Sequence, residues 1–143
     1  MANHRILLAE DRPQDVRLIQ RALKKAGYSV DLDIAENGRE ALDKLQRVPG
    51  TVQAPLPDLV LLDWMMPLVD GLEVLQAVRK DPALRKIPII VLTTSRTEGD
   101  IDAAYEGGCN AYLSKPVIPD EFQRTIEALG LFWLDTAILP PPR

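Results

Sequence analysis

A chain of 143 residues, 46% hydrophobic and 27% charged, suits one globular domain with a single real core and leaves no room for a second domain of ordinary length. The formal net charge of −4, with no basic stripe, gives nucleic-acid binding no electrostatic support. The single cysteine, Cys109, excludes an intrachain disulfide and agrees with a reducing cytoplasm. The first apolar run, Ile6–Ala9, meets Glu10 and Asp11 too soon to be a signal-peptide core. The longest apolar stretch, Leu59–Val69, is broken by Asp63 and Pro67, so no membrane span is expected and the expected setting is cytoplasmic.

Short apolar runs then alternate with helical periodicity along the chain. Arg5–Ala9 has strand length and is apolar on both faces, as a buried parallel strand must be. Val16, Ile19, Leu23 and Ala26 mark one face of a helix that Gly27 stops. Val30–Ile34 alternates apolar and polar residues, which predicts a strand with one wet face at a sheet edge. Asn37 caps the next helix, with Glu40 at capping-box offset and Ala41, Leu45 and Val48 as its apolar stripe. Pro49 to Pro57 reads as a loop.

Leu59–Leu62 is the central strand, and Leu72, Leu75 and Val78 carry a third helix. Ile89–Leu92 is another fully apolar strand, followed by a helix with Ile101, Ala104 and Tyr105 on one face and Gly107-Gly108 at its end. Ala111–Leu113 gives a short fifth strand. Pro119, with Asp120 and Glu121, opens a last helix whose stripe is Phe122, Ile126 and Leu129. The tail Leu139–Pro142 cannot continue a helix and is expected to be extended. Five strand–helix units predict an α/β, flavodoxin-like, doubly wound five-stranded parallel sheet.

What ends each strand carries the functional information. The first strand ends in Glu10-Asp11, the third in Asp63, the fourth in Thr93-Thr94 and the fifth in Lys115-Pro116. Open α/β sheets bind ligands outside the carboxyl ends of their strands, so these groups would converge in one crevice. Taken singly, each has a plainer reading: solvated charges for Glu10 and Asp11, a turn or cap residue for Asp63, a surface lysine for Lys115. Taken together, four strand ends would each need a chance polar residue of the correct type. Clustered carboxylates repel unless a cation sits among them. Oxygen-only ligands suit Mg²⁺, and no His/Cys cluster offers a zinc site, since His4 is the only histidine. A carboxylate nucleophile beside a cation, a lysine and a hydroxyl is the arrangement needed to form an aspartyl phosphate.

Glu10-Asp11, the segment Leu61–Gly71 around Asp63, Thr93 and Lys115-Pro116 resemble the signature blocks of response-regulator receiver domains, in order and over residues 4–130. The resemblance implies strand order 2-1-3-4-5, a phosphoacceptor at Asp63 and Mg²⁺ held by Asp11, Glu10, Asp63 and the backbone carbonyl of Met65. It implies that Thr93 contacts the phosphoryl group, that Tyr112 changes rotamer with it, and that Lys115 bridges it to Asp63 across a cis Lys115–Pro116 bond. Glu10 stands where some relatives carry Asp, and Met65 and Ser95 stand where receivers vary widely. The opening Glu10–Ile19, the long loop before the third strand and Phe132–Pro140 are similar to phytochrome-associated response regulators. That similarity implies a sensor histidine kinase of phytochrome type as partner. It also implies a stand-alone receiver without an output domain, working as a switch rather than an enzyme.

Phe132 and Trp133 either close the core beneath the last helix or present an apolar surface to a partner. The resemblance favours a homodimer contact through residues 131–143. A degenerate or phosphate-sink receiver is a further possibility within the family. An aspartyl-phosphate phosphatase would carry a second Asp where Met65 stands, together with a cap domain. A flavin or nucleotide module would need a Gly-rich loop where Glu10–Pro13 stands.

Overall fold

A computed structural model of the protein describes residues 4–50 and 55–141. Residues 51–54 of the expected loop and Pro142 of the expected tail therefore lie outside the described residues. In chain order the elements are β1 (His4–Ala9), α1 (Pro13–Lys25), β2 (Val30–Ala35), α2 (Gly38–Gln46), β3 (Leu59–Leu62) and α3 (Gly71–Lys80). They continue with β4 (Ile89–Thr93), α4 (Glu98–Gly107), β5 (Ala111–Ser114) and α5 (Pro119–Gly130). The strands form one sheet in the order β2-β1-β3-β4-β5, and each neighbouring pair is parallel, as the sequence predicts.

Alternation of side chains along the strands divides the apolar residues between two layers. Leu7, Ala9, Val60, Leu62, Ile89 and Val91 face α2 and α3, where Leu42, Leu45, Val74, Leu75 and Val78 complete one cluster. Ile6, Leu8, Leu59, Leu61, Ile90 and Leu92 face α1 and α5, where Ile19, Leu23, Phe122, Ile126 and Leu129 complete the other. Full burial of each such side chain is worth about 1.5–3 kcal/mol. That is why β1, β3 and β4, apolar on both faces, take the centre. The alternating β2 and the half-buried β5 take the edges.

Local chemistry sets the helix ends. Asn37 accepts the Glu40 N–H at 2.8 Å, but the other half of the expected capping box is replaced: the Glu40 carboxylate lies 3.7 Å from Lys44 instead. Gly27 (φ 89°) follows α1, and Gly108 (φ 103°) caps α4, both in the left-handed region that glycine tolerates. Tyr105, expected on the apolar stripe of α4, is 51% exposed. Ala104 is the buried residue of that helix. Tyr105 instead lies beside β5, where its hydroxyl accepts the Tyr112 N–H at 3.2 Å.

Helical backbone continues beyond α5 as one π turn, Leu131–Thr136. Leu134 is buried against the α1/α5 layer, and the Tyr28 hydroxyl donates to Asp135 at 2.9 Å, so the turn is tied to the core. Trp133 packs against the same layer, whereas Phe132 is 53% exposed and stands edge-on to the Trp133 ring. The two readings of this pair thus separate, one to each residue.

The connection from β3 to α3 is gripped at two glycines. A Cβ at Gly38 would lie 1.8 Å from the Val69 carbonyl oxygen, and one at Gly71 would lie 2.8 Å from the Asp63 carbonyl oxygen. Gly71 is therefore required by close backbone approach and not by a left-handed dihedral angle. Asp70 itself caps α3 by accepting the Glu73 N–H at 3.0 Å. Gly38→Ala and Gly71→Ala are each expected to lower stability by about 1–3 kcal/mol through overpacking. Gly99, in the first turn of α4 with open space around it, is expected to gain about 0.5–1 kcal/mol as Ala. Urea unfolding of the three variants checks both signs.

Candidate functional site

The hydrogen-bond ladder of the sheet runs one residue past the strand ends, and this places the polar side chains. Glu10 N–H donates to the Ala35 carbonyl at 2.9 Å, Asp63 N–H to Ala9 at 3.0 Å and Lys115 N–H to Thr93 at 2.8 Å. Glu10, Asp63 and Lys115 are thereby set side by side at the carboxyl edge, with Thr93 on the last residue of β4. Among the described residues the buried polar or charged side chains are Glu10, Asp63, Thr93 and Lys115, all of them at this edge. Each is one that the sequence placed in the site. Asp11, also placed there, is exposed at its rim.

Carboxylate oxygens of Glu10, Asp11 and Asp63 all lie within 4.8 Å of one another. The Lys115 ammonium contacts Glu10 directly, lies 3.1 Å from Asp15 and stands 3.7 Å from Asp63. The ammonium thus leans towards the α1 side, where Glu10 and Asp15 hold it. Burial pushes the Glu10 carboxyl up to about 7: the hydrogen bond from Lys115 opposes that rise, and the charge of Asp63 adds to it. Burial alone would lower the Lys115 pKa, but the bond to Glu10 and the charges of Asp63, Glu10 and Asp15 outweigh it and raise the pKa. The donor set is hard oxygen throughout, with one carboxylate open to water, and this fits Mg²⁺, which keeps part of its hydration shell.

On the other side of the cleft, a chain of bonds runs from Thr93 to Tyr112. Ser95 N–H donates to the Thr93 hydroxyl at 3.4 Å, and the Tyr112 hydroxyl donates to the Ser95 carbonyl at 2.9 Å. The Ser95 hydroxyl donates to Asp100, and this bond holds the Asp100 carboxyl below its usual range. Tyr112 is half-buried and its N–H donates to the Tyr105 hydroxyl at 3.2 Å. Met65 lies on the connection leaving β3, with its side chain 64% exposed. The Lys115–Pro116 bond is trans, since no cis peptide occurs among the described residues, and the expected cis bond is corrected. Trans is the lower-energy isomer of an X–Pro bond by about 0.5–1 kcal/mol, and the Lys115 contacts form without the rarer one.

Two acidic residues of this neighbourhood escaped the sequence reading, Asp15 and Asp100. Asp15 carries a signal in its spacing: it stands in the first turn of a helix that opens right after the Glu10-Asp11 pair. Asp100 carries none beyond its place after the Thr97 cap.

Residues 6–127 match the family described as response regulator receiver domain. The chain is 39% identical over 135 residues to response regulator Rcp1 of Synechocystis sp., covering 94% of this chain and 92% of that protein. The Mn²⁺-bound form of Rcp1 superposes with a TM-score of 0.87 at 38% identity, over 96% of this chain and 99% of that one. The phosphorylated cyanobacterial phytochrome response regulator RcpA superposes with a TM-score of 0.92 at 37% identity, over 98% of this chain and 100% of that one. The bacteriophytochrome response regulator AtBRR is 41% identical with a TM-score of 0.70, over 99% and 100% of the two chains. With its buried acidic edge, its strand order and these relatives, the chain belongs to the response-regulator receiver domains, phosphoacceptor switches of two-component signalling.

Proposed function

We propose that Asp63 accepts a phosphoryl group from a sensor histidine kinase of phytochrome type and that the modified protein changes its binding to a partner. The observation that carries this reading is the confinement of buried polar side chains, among the described residues, to one carboxylate cluster with a lysine and a threonine at its side. The phytochrome assignment is supported by the names and closeness of RcpA and AtBRR.

In the transfer, an Asp63 oxygen attacks phosphorus as the phosphorus–nitrogen bond to the kinase histidine breaks, and the imidazole leaves with the bonding pair. Glu10, Asp11, Asp63 and the Met65 carbonyl would hold Mg²⁺, which when bound supplies positive charge against the incoming phosphoryl oxygens. Lys115, already 3.7 Å from Asp63, neutralises an oxygen on the side facing α1. Thr93 turns its hydroxyl from the Ser95 N–H to the phosphoryl group, and this loosens the Ser95 segment that Tyr112 holds. Such a change biases the face made by α4, β5 and α5. On this reading residues 4–130 form the receiver, and the exposed Phe132 beside Trp133 joins residues 131–143 in a homodimer contact. The protein acts as a cytoplasmic switch whose self-catalysed chemistry is slow.

Incubation with acetyl phosphate and Mg²⁺ is expected to add one phosphoryl group by intact mass, and Asp63→Asn is expected to add none. Absence of the adduct in the parent sinks the reading. The raised Glu10 pKa also predicts the pH dependence of metal binding. A cation binds the deprotonated carboxylate, so Mg²⁺ affinity should rise with pH up to about 7 and flatten above it. The slope below that midpoint should approach about tenfold per pH unit. Glu10→Gln should bind more weakly at pH 8 and lose the slope. Fluorescence of Trp64, buried next to Asp63, reports the titration.

A further inference from the structure

We infer that Asp15 is a positioning residue, which holds the Lys115 ammonium on the α1 side of the cleft and competes for it with a phosphoryl group on Asp63. The inference rests on Asp63 being the phosphoacceptor. Asp15 enters from the first turn of α1, with its side chain 15% exposed, and places an oxygen 3.1 Å from Lys115 Nζ. Its other charged neighbour, Arg12, is 3.8 Å away on a side chain 56% exposed, so Lys115 is its main partner. An ammonium has three donors. Here one goes to Glu10 and one to Asp15, while Asp63 lies beyond hydrogen-bond distance at 3.7 Å.

The two holds on Lys115 differ in what they do next. Glu10 belongs to the carboxylate cluster fit for a cation, and a cation bound there would compete with Lys115 for its oxygens. Asp15 is outside that cluster and keeps its grip. A phosphoryl group on Asp63 carries about −1.5 to −2 charges where the carboxylate carried one, and pulls the ammonium across the cleft, leaving Asp15 with the solvated Arg12 alone. The Asp15 contact therefore favours the unmodified protein over the modified one. Removing it should shift that balance towards the modified form.

Beryllofluoride, a phosphoryl mimic that binds reversibly, measures the balance without chemistry. With saturating Mg²⁺, Asp15→Asn should bind it about three- to tenfold more tightly than the parent, read from Trp64 fluorescence. In a Lys115→Ala background the same substitution should change affinity by less than about twofold, because the effect acts through Lys115. Asp15→Glu should restore near-parent affinity. In the metal-free protein, urea midpoints of the two single variants and the double variant should be non-additive, a second readout that needs no ligand. Unchanged affinity in Asp15→Asn, or equal tightening without Lys115, overturns the inference while the phosphoacceptor reading stands. A parent that binds no beryllofluoride overturns both.

Discussion

A charged group buried at the rim of an apolar sheet is tolerated only when its neighbours compensate it, and the Lys115 ammonium is where this molecule meets that condition. Three carboxylates from three elements converge on it, at the ends of β1 and β3 and in the first turn of α1. Without Lys115 the buried Glu10 and Asp63 would face each other with nothing to offset their repulsion. Without the carboxylates, a lysine 8% exposed would cost more to bury than its stem returns. The site and the stability of this edge are thus the same set of interactions, and a cation entering the cluster must rearrange it.

That dependence explains how the two sides of the cleft differ. On the α1 side the partners are charged and close, so changes there move charge. On the β5 side the bonds that link Thr93 to Tyr112 are between neutral groups: the Thr93 hydroxyl, the Ser95 backbone and the Tyr112 hydroxyl. Each neutral hydrogen bond contributes about 0.5–1.5 kcal/mol net, an amount that a new anionic acceptor nearby can outbid. A signal entering as charge on Asp63 would leave as a change of hydrogen-bond partners on the α4–β5 face.

Much of this was legible in the chain. The fully apolar β1, β3 and β4, the alternating β2 and the polar residue closing each strand marked the buried and edge strands and the position of the site, while the strand order followed from the family resemblance. Where reading failed, the deciding contact was long-range or backbone-to-backbone. Tyr105 fits a helical stripe on paper, but its hydroxyl reaches the Tyr112 backbone of β5, a contact invisible to periodicity. The need for glycine at position 71 escaped reading because a close approach to the Asp63 carbonyl leaves no mark on its neighbours in sequence. Asp15 was passed over because acidic residues in a first helical turn are ordinary, and Lys115, its partner, is one hundred residues away.

The glycine contacts at either end of the β3–α3 connection have a wider meaning. Backbone stacked on backbone at Gly38 and Gly71 fixes both the entry and the exit of a short span whose outward residues, Met65 and Leu68, are 64% and 78% exposed. Those two side chains can be exchanged without moving the carboxylate that precedes them, whereas Trp64, Met66 and Val69 of the same span are buried in the core. The mouth of the cleft is consequently open to diversification, free to acquire new partners or new water access, while Asp63 stays on a frame that substitution cannot easily shift.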